Sequence, residues 1–179
     1  ARLSQRPLHT DEAVHADNYN RMLEQGFYKY DPNEYHGPTL NYLTVILAKC
    51  LGQSTYQDIS EFTLRAGPAL MGMLLVLMPL GLWGLVDKRV IGLTMVFTAV
   101  SPAMVYYSRY YIQETFLVCF TAGLLISVLR YRDRPHWGWV LSAGLCAGLM
   151  HATKETFVIA FAAMCIAVFF TRGKDAFRP

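Results

Sequence analysis

The sequence predicts an all-α, polytopic transmembrane helix bundle with an outer helical loop, and three observations predict it. Hydrophobic residues make up 54% of the 179 residues and charged residues only 16%, against roughly 45–50% and about 25% in soluble domains. Polar residues are concentrated in the first 65 positions, so the remainder is more apolar than the mean. Beyond residue 65, uncharged runs alternate with short charged loops, as in helices that cross a bilayer repeatedly. This profile excludes a disordered chain, a coiled coil and a collagen-like fibre. The net charge of +3 is too small to argue for nucleic acid, and the lipid bilayer is the partner that composition implies.

Residues 1–65 read as an extracytoplasmic first loop with juxtamembrane helices. Thr10 is an expected N-cap, and Val14, Tyr19, Met22 and Leu23 form a loose apolar stripe running to about Gly26. His36-Gly37-Pro38 then breaks the chain. From Gly37 to Leu51, an apolar face of Leu40, Leu43, Val45, Ile46, Leu47 and Leu51 carries Asn41, Thr44 and Lys49. That segment is short for a span, which favours a helix lying in the outer interface. The other reading, a crossing helix, would reverse every later orientation.

Residues 66–179 are expected to form a bundle of about five spans, at 66–86, 90–107, 112–129, 137–153 and 155–170. Ala66–Val86 is free of charge and long enough for a ~30 Å hydrocarbon core at ~1.5 Å per residue. Val90–Tyr107 is a second uncharged run, and Pro79 and Pro102 lie within or near spans, where membrane helices tolerate them. The later runs are shorter. Extending them outward takes in Glu114 and Arg109 in one hairpin, and His151, Lys154 and Glu155 in the next. Ionisable groups at membrane depth usually face a protein-lined or wet cavity, although thin turns could equally leave them in headgroup water. Gly144-x-x-x-Gly148, flanked by Ala143 and Ala147, offers a small-residue face for packing within the bundle. The cysteines Cys50, Cys119, Cys146 and Cys165 have no C-x-x-C spacing and read as packing residues.

Charge placement sets the orientation. Lys88, Arg89, Arg130, Arg132, Arg134, Arg172, Lys174 and Arg178 fall in every second loop, with only Asp87, Asp133 and Asp175 as acids. The positive-inside rule puts those loops in the cytoplasm and residues 1–65 outside a multi-pass plasma-membrane protein. Trp137 and Trp139 then mark the inner interface, and Tyr106, Tyr107, Tyr110 and Tyr111 the outer one. Nothing upstream would carry residues 1–65 across, so the chain is expected to be a fragment lacking an N-terminal span and a C-terminal region.

The chemistry-bearing residues cluster on the expected outer side. His9-Thr10-Asp11-Glu12-Ala13-Val14-His15 sets an acidic pair at a helix start. Asp11 and Glu12 complement the positive helix end, or supply a general base or cation ligand. Asp11 and His15 share a face at i, i+4, whereas Glu12 points about 100° away. Asp11, Glu114 and His15 are the candidate ligands for Mg²⁺ or Mn²⁺, being oxygen and imidazole donors. No P-loop, dinucleotide fingerprint, H-E-x-x-H motif or inverted repeat is present.

In this order the pieces resemble the GT-C glycosyltransferases, polytopic enzymes that use polyprenyl-phosphate-linked sugars. Asp11-Glu12 looks like their acidic motif in the first outer loop. His36-Gly37-Pro38-Thr39-Leu40 is similar to the H-x-P-L turn of protein mannosyltransferases and aminoarabinose transferases. Phe62-Thr63-Leu64-Arg65-Ala66-Gly67-Pro68 resembles their R-x-x-P/S motif. Ser108-Arg109 through Glu114 resembles SR-x-x-x-x-D/E, and Thr153-Lys154-Glu155 resembles T-K-G. A nearer likeness is to the prokaryotic flippase activity-associated membrane proteins of archaeal N-glycosylation, through HxDEAxHA, YHGP and TKE. The chain departs from the mannosyltransferases at Glu155, where they have Gly, and has Glu114 where many relatives have Asp.

The resemblance implies sugar transfer from a polyprenyl-phosphate donor to a protein, lipid or glycan acceptor, on the extracytoplasmic side and with inversion. Asp11 is implied as general base with Glu12 beside it. Arg65, Lys154 and Arg109 are implied for the donor phosphate, and Glu114, His15, Glu155 and His36 for the cavity. The alternative is a non-catalytic subunit or a translocator of lipid-linked oligosaccharides.

Overall fold

The computed structural model describes residues 3–4, 6–32 and 36–172. Among these the chain is all-helical, with no strand. Helix α1 (Thr10–Gln25) and helix α2 (Thr39–Cys50) precede a 3₁₀ turn at Tyr56–Asp58. Then come α3 (Glu61–Leu77), continued by a 3₁₀ segment (Met78–Leu82), α4 (Lys88–Val100), α5 (Pro102–Tyr107), α6 (Glu114–Asp133), α7 (Trp137–His151) and α8 (Phe157–Arg172). Two stretches, Glu61–Leu82 and Glu114–Asp133, are long and apolar enough to cross a membrane by length and composition.

Local chemistry explains where these helices begin and break. The first helix is capped by His9, not by Thr10: the His9 side chain accepts from the Asp11 N–H, and Glu12 Oε2 accepts from the His9 N–H at 2.9 Å. Glu12 is the N3 residue of this capping box, so its carboxylate is committed to the helix start. Gly26, at φ 76°, ends the helix in the left-handed conformation that glycine adopts without strain. The expected run 90–107 is not one helix. Pro102 lacks an N–H and forces Ser101 into an extended conformation (φ −60°, ψ 120°), dividing it into α4 and α5.

The expected outward extension of 112–129 also differs. Helix α6 starts at Glu114 and gains its length at the other end, reaching Asp133 with Arg130 and Arg132 in its last turn, where cations favour the helix dipole. Arg109 therefore lies in the loop after α5. Lys154 and Glu155 lie in the turn between α7 and α8, off both helices.

The helices after α2 pack through small residues. Helices α6 and α7 form an antiparallel hairpin in which Ser127 meets Ser142 at 2.9 Å and Gly123 faces Cys146. A Cβ at Gly81 would meet Ile126, and one at Gly72 would meet Ser108, so both glycines permit close approach to α3 and its 3₁₀ extension. Arg130 closes the far end by donating to the Gly81 and Trp83 carbonyls at 2.6 and 2.8 Å. Gly144 and Gly148 have nothing within 4 Å of an added Cβ, so their small face makes no packing contact among the described residues. The four cysteines are free, and Cys119 contacts Met78.

Helix α2, of 12 residues, is about 18 Å long, short of the ~30 Å core. Its buried face carries Leu40, Asn41, Thr44 and Ala48. The polar pair is inside because Tyr111, fully buried, bonds Thr44 at 3.0 Å and Asn41 at 3.3 Å through its hydroxyl. Burial pushes the Tyr111 pKa up, so the phenol stays protonated and remains a donor. Ala16, Tyr19, Met22, Leu40, Leu64, Tyr111 and Phe116 form one core cluster that joins α1, α2, α3 and α6. In contrast, α4, α7 and α8 leave residues such as Phe97 and Ile159 about two-thirds exposed (67% and 70%), an apolar surface that calls for lipid or further helices.

The His36-Gly37 turn docks on the α7–α8 turn through the backbone. Gly37 N–H donates to the Thr153 carbonyl at 2.9 Å, and His36 and Lys154 form an antiparallel bridge. Thr39 Oγ1 donates to Thr153 Oγ1 at 3.0 Å, and Gln113 Nε2 donates to the Gly37 carbonyl at 2.8 Å. A Cβ on Gly37 would lie 2.0 Å from the Ala152 carbonyl oxygen, a backbone atom with no rotamer to yield. Gly37→Ala is therefore expected to undock the turn and lower stability by more than the ~1–3 kcal/mol usual for overpacking. Thermal unfolding of the detergent-solubilised protein, against Gly144→Ala as a non-contact control at an ordinary helical φ, measures this. An unchanged midpoint for Gly37→Ala would refute the contact.

Candidate active site

Two adjacent carboxylates have opposite surroundings. Glu12 is fully buried, and its Oε1 and Oε2 accept from Arg65 Nε and Nη2 at 2.8 and 2.9 Å, a bidentate pair. Oε1 also accepts the Tyr111 N–H at 2.9 Å, and Oε2 accepts from His9 N–H and, at 3.3 Å, from Arg6. Burial alone would raise the Glu12 pKa, but the Arg65 hydrogen bonds and charge, with the two backbone donors, hold it below the usual carboxylate range. Asp11 is exposed, its Oδ2 3.6 Å from His9 Nδ1.

Arg65 has no donor left over. Beyond Glu12, its Nη1 donates to the Leu3 and Arg6 carbonyls and to Glu61, and its Nη2 to the Pro7 carbonyl. All five N–H groups of the guanidinium are engaged. The two residues that the motifs paired with chemistry, Glu12 and Arg65, are thus assigned by the structure to each other. Glu12 cannot take a proton from an acceptor without breaking that pair, and Arg65 offers a phosphate nothing it does not already donate.

The remaining candidates divide into two places. Glu114 and Lys154 form an ion pair at 2.7 Å between the start of α6 and the α7–α8 turn. His36 bridges to Lys154, and its ring meets that of His15 edge-on at 4.6 Å. Asp11 precedes His15 by one turn of α1 on the same face, and Tyr30 hydrogen-bonds Glu155 beside Lys154. His15, His36, Glu114 and Lys154 thus gather in one polar basin where α1, the His36 turn, α6 and the α7–α8 turn meet, and Asp11 stands exposed one helical turn before His15. Arg109 stands elsewhere, in a cavity of about 380 Å³ with Arg6, Tyr106 and Tyr110. Arg6 lies 3.8 Å from the centre of the Tyr110 ring. No group of three or more His, Cys, Asp or Glu side chains among the described residues could hold a metal ion, so Asp11, His15 and Glu114 are not gathered as one ligand set.

Sequence reasoning did not find Tyr111 and Gln113 as parts of this region. Tyr111 N–H anchors Glu12, and Gln113 holds the His36-Gly37 turn. The one available signal was their position inside the short segment between Arg109 and Glu114.

The geometry separates two substitutions. Glu12→Gln breaks a buried, bidentate pair and is expected to cost about 3–5 kcal/mol, whereas Asp11→Asn at an exposed position should change stability by less than ~0.5 kcal/mol. Because the folded pKa of Glu12 is lowered, its contribution is complete above its unfolded pKa and is lost as pH falls through the lower folded value. Thermal midpoints of both variants, followed down through the carboxylate range, check this. Equal midpoints would contradict the assignment.

Residues 3–176 match the family described as dolichyl-phosphate-mannose-protein mannosyltransferase. No curated protein and no solved structure matches the chain. The match covers nearly the whole sequence and includes both the acidic pair on α1 and the Glu114–Lys154 ion pair. On that match the chain belongs to the dolichyl-phosphate-mannose-protein mannosyltransferase family, and is a membrane glycosyltransferase of the GT-C type.

Proposed function

We propose that this protein transfers a sugar from a polyprenyl-phosphate donor to an acceptor hydroxyl at the extracytoplasmic membrane face, by direct inverting displacement. The observation that carries this reading is the unequal placement of the acidic pair. Glu12 is locked against Arg65, while Asp11, next to it, is exposed on the α1 face that leads to His15, Glu114 and Lys154. A rigid support beside one solvent-exposed carboxylate suits a general base.

In the proposed step, Asp11 accepts the proton of the acceptor hydroxyl as that oxygen attacks the anomeric carbon. The bond from that carbon to the phosphate oxygen breaks, and the lipid phosphate leaves with the electron pair. Negative charge grows on the departing oxygen, where fixed cations stabilise the transition state most. Lys154 uses one of its three N–H donors on Glu114 and keeps two for the phosphate. With Arg65 engaged and Arg109 in a separate cavity, Lys154 is the cation left for this task.

The test is transfer of radiolabelled sugar from a polyprenyl-phosphate donor by the full-length protein. Asp11→Asn is expected to lower the rate roughly 10²–10⁴-fold with donor binding kept, the usual contribution of a positioned acid–base group. Undiminished transfer in Asp11→Asn would remove Asp11 as base. Absence of transfer by the wild type, with lipid-linked oligosaccharide translocated instead, would support a translocator.

Lys154→Met is expected to lower kcat by roughly 10²-fold, the scale of losing one transition-state donor. Single-turnover measurement with the same donor checks it, and an effect confined to KM would show that Lys154 binds donor and transition state equally.

A further inference from the structure

Gln113 is the N-cap residue of α6 and is 1% exposed. Only half of its amide is used. Its Nε2 donates to the Gly37 carbonyl at 2.8 Å, whereas its Oε1 is buried with no hydrogen-bond partner among the described residues. A buried acceptor left unpaired is destabilising. Methionine, of similar length and shape, would fill the same space without that oxygen. Packing alone therefore does not account for an amide here. What the amide adds is the N–H that holds Gly37.

Gly37 belongs to the turn that is paired with Lys154. Its own N–H donates to the Thr153 carbonyl at 2.9 Å, and His36 forms the antiparallel bridge with Lys154. Glu114, the residue after Gln113, takes the Lys154 ammonium at 2.7 Å. Two consecutive residues thus secure one lysine at both ends: Glu114 holds its Nζ, and Gln113 holds the turn beside its backbone. Two positions earlier, the Tyr111 N–H holds Glu12, the neighbour of Asp11. Tyr110, Tyr111, Ile112 and Gln113 are all buried. A close-packed segment transmits displacement instead of absorbing it, so this one links the acidic pair to Lys154.

We infer that Gln113 is a positioning residue for sugar transfer, acting through Lys154 by holding the His36-Gly37 turn that pairs with it. The inference rests on the proposed role of Lys154 at the departing phosphate, and it adds how that ammonium is kept in place. The Gln113 amide itself touches no substrate. Misplacing a reacting or charge-stabilising group by about 1 Å can cost roughly 10²-fold in rate. With the Glu114 pair and the Gly37–Thr153 bond still made, loss of the Gln113 tie is expected to cost about tenfold.

The test uses the full-length protein in detergent and two readouts. The first needs no sugar transfer: the rate at which an amine-reactive ester acylates Lys154, followed by peptide mass spectrometry with the exposed Lys29 as internal reference. The Lys154 side chain is 21% exposed and paired, and Gln113→Met should speed its acylation about threefold or more as the local packing loosens. The thermal midpoint should stay within about 3 °C of wild type. The second readout is transfer from the polyprenyl-phosphate donor. Gln113→Met should lower kcat about tenfold with KM within about twofold. In a Lys154→Met background the same substitution should change kcat less than about twofold, because the two act as one unit. If Gln113→Met does not fold, Gln113→Asn, whose amide is one methylene too short for Gly37, should act in the same direction.

Unchanged Lys154 acylation, an equal kcat loss with and without Lys154, or a loss confined to KM would overturn the inference. Lys154→Met separates it from the reading on which it rests. Undiminished transfer in that variant counts against Lys154 in the proposed function, whereas a loss there with none in Gln113→Met counts against Gln113 alone. A wild type that transfers no sugar counts against the proposed function, and acylation alone then decides whether Gln113 holds Lys154.

Discussion

The carboxylate of Glu12 ties together three separate parts of the chain: the N-terminal segment with α1, helix α3, and the loop before α6. It closes the first turn of α1 on His9, receives the Arg65 fork from α3, and fixes the Tyr111 N–H in the loop before α6. Through Arg65 it also gathers the carbonyls of Leu3, Arg6 and Pro7. A buried ion pair repays its desolvation only when geometry and extra hydrogen bonds satisfy both partners, and here both are satisfied. What such a pair supplies above all is position. It orients α1, whose His15 ring meets that of His36 beside Lys154.

The same logic explains why two equal-looking acids differ in use. Successive helical residues diverge by about 100°, so one carboxylate can be a fixed part of the scaffold while the next remains free. The scaffold acid has every lone-pair direction occupied; the other keeps the freedom to exchange a proton. Tyr111 repeats the pattern, with its N–H on Glu12 and its hydroxyl on Asn41 and Thr44 of α2. One short loop therefore connects the acidic motif to the helix that follows the His36 turn.

Much of this was legible in the sequence, for identifiable reasons. The all-helical class follows from long uncharged runs, a signal that survives without knowledge of packing. The basin residues were legible because ionisable groups at apolar helix ends are costly and so stand out. Less legible was what each motif residue touches. Glu12 and Arg65 are 53 positions apart, and nothing local distinguishes an arginine that meets a phosphate from one that meets a carboxylate. The His9 cap escaped because Thr10 is the commoner capping type, and the division at Ser101 because a membrane run tolerates proline often enough to hide a break. Asn41 and Thr44 read as interruptions of an apolar face, yet they are its buried polar anchor for Tyr111.

The seating of the His36-Gly37 turn sets an order of events during synthesis. Its partner Thr153 lies 114 positions after Thr39, and Tyr111, which anchors Glu12, lies 99 positions after it. A ribosome adding about 5–20 residues per second needs roughly 6–23 s to cover the longer interval. Throughout that time the N-terminal segment has already been made, with the Glu12 and Gly37 polar groups still without these partners. The basin consequently closes only once α7 has been made, and its completion reports that the α6–α7 hairpin has formed and turned back.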